Sequence, residues 1–230
     1  MGTRETLEGV DLFQGLSGST IKALSERCQW RDYTENQQVV GHQDESCQVF
    51  FLVRGKARAI VYSLSGKEVT FRDIQAGEMF GEFAAIDGQP RSASVQAVQN
   101  CLIASMSPEA FWQVLKEYPD VMAATLRRLT AQVRALSERV FEFSTLAVKN
   151  RIHAELLRLA NQNLSGDGTA SLAPAPTHAE IASRISSHRE AVTRELNRLA
   201  QDGIITRRSG NLVIRDVARL SRLVHEVVGD

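Results

Sequence analysis

The chain has 230 residues, 43% hydrophobic and 23% charged, with a formal net charge of zero at pH 7. These are soluble-globular values, enough for one large domain or two ordinary ones. No run approaches the roughly eighteen apolar residues of a membrane span, and Met1–Glu5 lacks the apolar core of a signal peptide. Gly2 and Thr6 fit only a loose acylation pattern with no second membrane signal, so the expected location is cytoplasmic, away from membranes. Cys28, Cys47 and Cys101 are isolated, which argues against structural zinc and a cysteine-ligated iron–sulfur cluster.

Residues 7–28 read as short helices, with Leu7, Val10, Leu12 and Phe13 followed by a Leu-Ser-Gly-Ser turn and then Ile21, Leu24 and Cys28. From Gln29 to about Ser105 the pattern is β. Val49–Val53 is a compact apolar run, Lys56–Tyr62 a second strand, Ser65-Gly66 a turn and Glu68–Phe71 a third strand. Short strands with frequent glycine turns predict a small barrel or sandwich, and a small barrel can hold one small ligand. Within it lies Phe80-Gly-Glu-Phe-Ala, then Pro90-Arg-Ser-Ala-Ser-Val95. Gly81 lets backbone approach a ligand closely. Glu82 suits a sugar hydroxyl, and Arg91 offers a fixed charge to a phosphate with Ser92 beside it. The structural alternative is an internal Glu82–Arg91 ion pair.

Met122, Leu126, Leu129, Val133, Leu136, Val140 and Phe143 follow 4-3-4-3-4-3 spacing. That is a heptad seam, expected to pair with a second copy of itself in a parallel homodimer. Phe111, Trp112 and Leu115 precede it and suit packing on the β domain. A hinge is expected at Phe143–Leu146, then a helix over Ala147–Ala160 and a surface loop from Asn161 to Pro176. From Ala147 onward 12 Lys and Arg stand against 9 Asp and Glu, a net of +3, leaving −3 for the rest. This split permits a nucleic-acid partner without requiring one.

Thr177 and Glu180 have capping-box spacing, as do Ser187 and Glu190. Ile181 and Ile185 give the first helix its apolar face, and Val192, Leu196 and Leu199 give the second its stripe. Ser186-Ser187 makes the turn, and Gly203 ends the second helix. Arg189, Glu190, Thr193 and Arg194 then face outward, where the second helix of a helix-turn-helix reads the major groove. Arg pairs with guanine and Glu with cytosine. Ile204–Arg208, a Ser209-Gly-Asn211 turn and Leu212–Arg215 form a basic hairpin, or wing, with Arg207 and Arg208 as phosphate contacts.

Arg189-Glu-Ala-Val-Thr-Arg194 resembles the R-E-x-V-x-R recognition helix of the CRP/FNR family of bacterial transcription factors, in its cyclic-AMP receptor protein-like branch. The F-G-E-F-A and P-R-S-A-S-V segments resemble that family's phosphate-binding cassette, and the order of parts matches over nearly the whole chain. The resemblance implies an α+β fold: an N-terminal, jelly-roll-like cyclic-nucleotide-binding β-barrel with its leading helices over 1–115, a dimerisation helix over 116–143 and a winged helix-turn-helix over 147–230.

It also implies a ligand set of Phe80, Gly81, Glu82, Phe83, Arg91, Ser92 and Ala93, with Leu136 and Ser137 at the purine. Gly81 and Glu82 would meet the ribose, and Arg91 and Ser92 the cyclic phosphate. The DNA-facing set is Thr177, Ser187, His188, Arg189, Glu190, Thr193, Arg194, Arg207 and Arg208. By resemblance cyclic AMP is the first effector expected. Leu136 stands where the branch carries Thr, a departure that admits cyclic GMP, or both nucleotides, as the second reading. The implied partners are double-stranded DNA carrying a near-palindromic TGTGA-type site, a second copy of the chain and RNA polymerase.

Two other readings compete. One is a family member sensing haem, a redox signal or nothing; the other is a cyclic-nucleotide-processing enzyme. His42, His153, His178, His188 and His225 lack ligand spacing, and no nucleophile–base–acid set or metal motif is evident. No enzymatic activity and no metal are expected.

Overall fold

A computed structural model describes residues 5–228, so the leader and acylation readings of residues 1–4 lie outside it. The chain divides into two compact units, Met1–Gln132 and Val133–Asp230.

The first unit opens with a helical turn, Asp11–Phe13, and helix α1 (Gly18–Ser25), capped where the Ser17 hydroxyl accepts from the Thr20 amide. Eight strands follow: β1 (Gln29–Tyr33), β2 (Gln38–Val40), β3 (Val49–Arg54), β4 (Lys56–Tyr62), β5 (Glu68–Gln75), β6 (Met79–Phe80), β7 (Ser94–Ala97) and β8 (Cys101–Met106). They form two four-stranded antiparallel sheets, ordered β1-β8-β3-β6 and β2-β7-β4-β5. The continuous apolar run of β3 has a simple cause: both of its faces are buried. Phe50 and Leu52 pack with Val40, Ala57, Ile74 and Val95 of the other sheet, whereas Val49 and Phe51 pack with Leu7, Phe13, Leu24 and Phe111.

Helix α2 (Glu82–Asp87) interrupts the strands, and α3 (Pro108–Glu117) follows them, with the Ser107 hydroxyl accepting from Ala110. Phe111 and Leu115 are buried as expected. The helical run breaks at Tyr118, which is extended because a residue before proline disfavours the α conformation. Helix α4 (Pro119–Thr145) then runs for 27 residues. Met122 packs against the core of the first unit, while Leu126, Val133, Leu136, Val140 and Phe143 are exposed.

The hinge expected at Phe143–Leu146 lies slightly later. Helix α4 continues through Thr145, whose hydroxyl donates back to Phe141 O at 2.7 Å, and the break falls at Ala147. A hydroxyl bonded to its own preceding turn is compatible with helix, and the sequence pattern does not show which option Thr145 takes.

The second unit contains α5 (Val148–Asn161), β9 (Ala170–Leu172), α6 (His178–Arg184), α7 (Arg189–Gln201), β10 (Ile205–Arg208), β11 (Asn211–Ile214) and α8 (Val217–Val228). The expected hairpin is β10–β11, joined at Ser209 and Gly210, both in the left-handed region that a tight two-residue turn requires. The expected loop over 161–176 is corrected in part. Residues 170–172 form β9, which pairs with β11 and buries Ala170 and Leu172. A three-residue strand leaves too short an alternation to stand out from its Gly- and Pro-rich surroundings.

Candidate ligand and nucleic-acid sites

Strand β6 delivers Phe80, 2% exposed, into the core of the first unit, where its ring stacks on Phe50 at 5.0 Å. Gly81 turns the chain with φ +77°, and a Cβ there would lie 2.6 Å from Arg91 Nη1 and 3.1 Å from Gln48 O. Only glycine satisfies both demands. Glu82 opens α2 and is 3% exposed.

Arg91 returns from the far side of the turn, also 3% exposed. Its Nη1 donates to Gly81 O at 2.8 Å, Nη2 to Gln48 O at 2.8 Å and Nε to the Ser46 hydroxyl at 3.2 Å. The guanidinium also lies 5.3 Å over the Phe50 ring. Burial draws its pKa below the ordinary arginine value, against Cys47, Asp44 and Glu82, but an arginine stays cationic. The two ends of the cassette therefore meet, and they do so without the Glu82–Arg91 ion pair that was the structural alternative. Glu82 instead accepts from Gln132 Nε2 at 3.2 Å. Ser92 and Phe83 are exposed, and Ala93 is half-buried.

The sequence reading missed the residues of α4 that reach this region. Arg128 donates to Glu78 at 3.1 Å and to Met79 O at 3.0 Å, and Gln132 lies one turn on. Both sit one step outside the apolar seam, so their spacing is the only signal that could have found them. Leu136 and Ser137, placed at the purine by resemblance, are exposed on α4, and the Ser137 hydroxyl donates to Val133 O at 3.0 Å.

In the second unit the Thr177–Glu180 capping box forms in both directions, at 3.1 Å and 2.8 Å. The second expected box does not. Helix α7 begins at Arg189 with His188 as its N-cap, so Glu190 sits one position too early and Ser187 is buried in the turn. Ser186, at φ +51°, and the Ser187 amide bonded to Ala182 O shift the helix start by one residue. Gly203 ends α7 as expected, with its amide on Ala200 O and that of Ile204 on Leu199 O.

Val192, Leu196 and Leu199 are buried, and His188, Arg189, Glu190, Arg194, Arg207 and Arg208 are exposed. A recognition face needs this division. Thr193 is half-buried, and its hydroxyl contacts His178.

Two buried ionic groups were not foreseen. Glu155, 1% exposed, receives Arg139 at 3.2 Å, Arg184 at 3.5 Å and Arg158. His153, 1% exposed, lies 2.6 Å from Glu195 of α7. Burial lowers the His153 pKa more than Glu195 raises it, so the imidazole is neutral at pH 7 and donates from Nε2. Burial also pushes the Cys28 thiol up to about 12, leaving negligible thiolate for redox chemistry. Among the described residues no cluster of three His, Cys, Asp or Glu could hold a metal, and no helix is long and apolar enough to cross a membrane.

A cassette-bearing pair of sheets together with a winged helix-turn-helix is the architecture of a DNA-binding transcription regulator rather than an enzyme. Residues 30–118 match the cyclic nucleotide-binding domain, and residues 150–223 match the Crp-like helix-turn-helix domain. The chain is a member of the CRP/FNR family of transcription regulators.

It is 28% identical over 220 residues to a cyclic AMP receptor protein of Thermus thermophilus, covering 94% of this chain and 98% of that one. It is 26% identical over 219 residues to the CRP-like cAMP-activated global transcriptional regulator of Mycobacterium tuberculosis, covering 95% and 98%. A solved CooA mutant from Carboxydothermus hydrogenoformans has the same fold, with a TM-score of 0.79 at 20% identity over 96% of this chain and 97% of that one. The c-di-GMP responsive regulator CLP of Xanthomonas campestris also shares it, at 0.74 and 20% over 86% and 99%.

Proposed function

We propose that the chain is a cyclic-nucleotide-gated transcription regulator that works as a homodimer, with cyclic AMP the first effector and cyclic GMP the second. The observation that carries this reading is the meeting of Gly81 and Arg91, ten residues apart in sequence, with Arg91 Nη1 2.8 Å from Gly81 O and Glu82 next to Gly81 at the start of α2. A cyclic phosphate would offer Arg91 charged oxygens in place of neutral carbonyls, a stronger bond. Gly81 and Glu82 suit the ribose, Ser92 the phosphate, and Phe80, Phe83 and Ala93 the surrounding wall. Leu136 and Ser137 are the proposed purine contacts. The cyclic-AMP names of the relatives support the same effector.

The functional parts are the β domain with its leading helices (1–115), the dimer helix (116–143) and the DNA-binding domain (147–230). The exposed apolar residues of α4, from Leu126 to Phe143, support pairing with a second copy. In the DNA complex Arg189, Glu190 and Arg194 read bases of a near-palindromic TGTGA-type site, with Thr193 and His188 beside them. Thr177, Ser187, Arg207 and Arg208 flank the phosphates, RNA polymerase is the further partner, and the cytoplasm is the place of action. The effector must prefer the DNA-competent state; moving a 1:99 equilibrium to 99:1 takes about 5.5 kcal/mol of differential binding, shared over two sites.

Calorimetric titration with each nucleotide, followed by operator binding with and without it, tests the reading. Saturable nucleotide binding and effector-dependent operator affinity are expected. Equal operator affinity with no nucleotide bound would overturn it in favour of a family member sensing something else.

A further inference from the structure

One polar chain in the second unit links all three parts of the DNA-binding motif. His178, the first residue of α6, is half-buried. Its Nε2 lies 2.7 Å from Arg207 Nη2 of strand β10, and its Nδ1 lies 2.6 Å from Thr193 Oγ1 of α7. The Thr193 hydroxyl in turn donates to Arg189 O at 3.0 Å.

The chemistry fixes every proton in this chain. A guanidinium has only donors, so Nε2 must accept and the ring proton sits on Nδ1. Nδ1–H then donates to Thr193 Oγ1, whose own proton is committed to the backbone. Burial, Arg207 and Arg189 all lower the imidazole pKa, which keeps Nε2 free to accept.

We propose that His178 is a positioning residue of the DNA interface: as the Nδ1–H tautomer it holds the wing's Arg207 against the first helix of the motif and directs the Thr193 hydroxyl onto the recognition helix's own backbone. The consequence for recognition is specific. Arg207 meets a phosphate already ordered, so less side-chain freedom is lost on binding. Thr193 keeps its methyl and a lone pair but has no proton left to donate, so it cannot serve as a phosphate donor. This inference rests on the reading of α6, α7 and the wing as the DNA face.

Two measurements test it separately. In the free protein, two-bond proton–nitrogen NMR of the imidazoles, with His178 assigned from its absence in H178Q, is expected to show the Nδ1–H tautomer near pH 7.5. An Nε2–H ring would overturn the proposal whether or not the protein binds DNA. The second measurement is anisotropy with an operator duplex at several salt concentrations.

His178→Ala is expected to bind roughly three- to tenfold more weakly, the cost of one re-freed long side chain, with the salt slope unchanged. Arg207→Ala should lower that slope by about one. His178→Gln, whose amide oxygen can stand where Nε2 does, is expected to restore affinity to within about twofold, and His178→Asn is not. Equal affinity of all three His178 variants would reduce the contact to packing. If wild type fails to bind any duplex, the reading of the DNA face fails and the tautomer result still stands.

Discussion

Replacing Arg91 with Met removes three hydrogen bonds, to Gly81 O, Gln48 O and the Ser46 hydroxyl, and keeps an apolar stem over Phe50. Each such bond is worth about 1 kcal/mol net, and the lost cation–π contact adds about 0.5–2 kcal/mol. Part of this returns because a buried charge no longer has to be desolvated. The expected net loss is about 3 kcal/mol, confined to the first unit.

The only two tryptophans, Trp30 and Trp112, lie in that unit, so urea unfolding followed by their fluorescence isolates it. With a urea slope of about 1–3 kcal/mol/M, the midpoint should fall by roughly 1 M or more. Cyclic-nucleotide binding should disappear with it. A midpoint within about 0.2 M of wild type would mean that these donors are not held by the carbonyls, and the account of how the cassette closes would be wrong.

Glu155→Gln leaves Arg139, Arg158 and Arg184 without their shared countercharge. Breaking a buried ion cluster costs roughly 3 kcal/mol or more, to be read as faster amide exchange across α5 and α6. His153 has a folded pKa below its ordinary 6.5. The unfolded chain therefore takes up a proton first, and second-unit stability should fall as pH drops below that value. His178 acts in the same direction, so His153→Gln should flatten the pH–stability curve only in part. Val133→Glu with Val140→Glu changes two residues that are 61% and 65% exposed. Sedimentation should show monomers with unchanged far-UV circular dichroism; dimers of wild-type affinity would move the self-association site elsewhere.

Local chemistry with short-range causes was legible in the amino-acid order. The Thr177–Glu180 box, the Gly203 helix end, the Ser209-Gly210 hairpin turn and the apolar Val49–Val53 strand each depend on neighbours a few positions away. Capping, left-handed turns and burial period are properties of such short segments.

Long-range polar pairing was decided only by the fold. Arg91 on the carbonyls of Gly81 and Gln48, Gln132 on Glu82, His153 on Glu195 and Arg207 on His178 join residues 10 to 50 positions apart. A hydrogen-bonding side chain carries no mark of its distant partner. Which acceptor it meets follows from how the apolar faces pack. The sequence could therefore point to candidates such as Glu82 and Arg91, whereas their connections, and the presence of Arg128, Gln132 and His178 beside the candidate sites, could not be read from it.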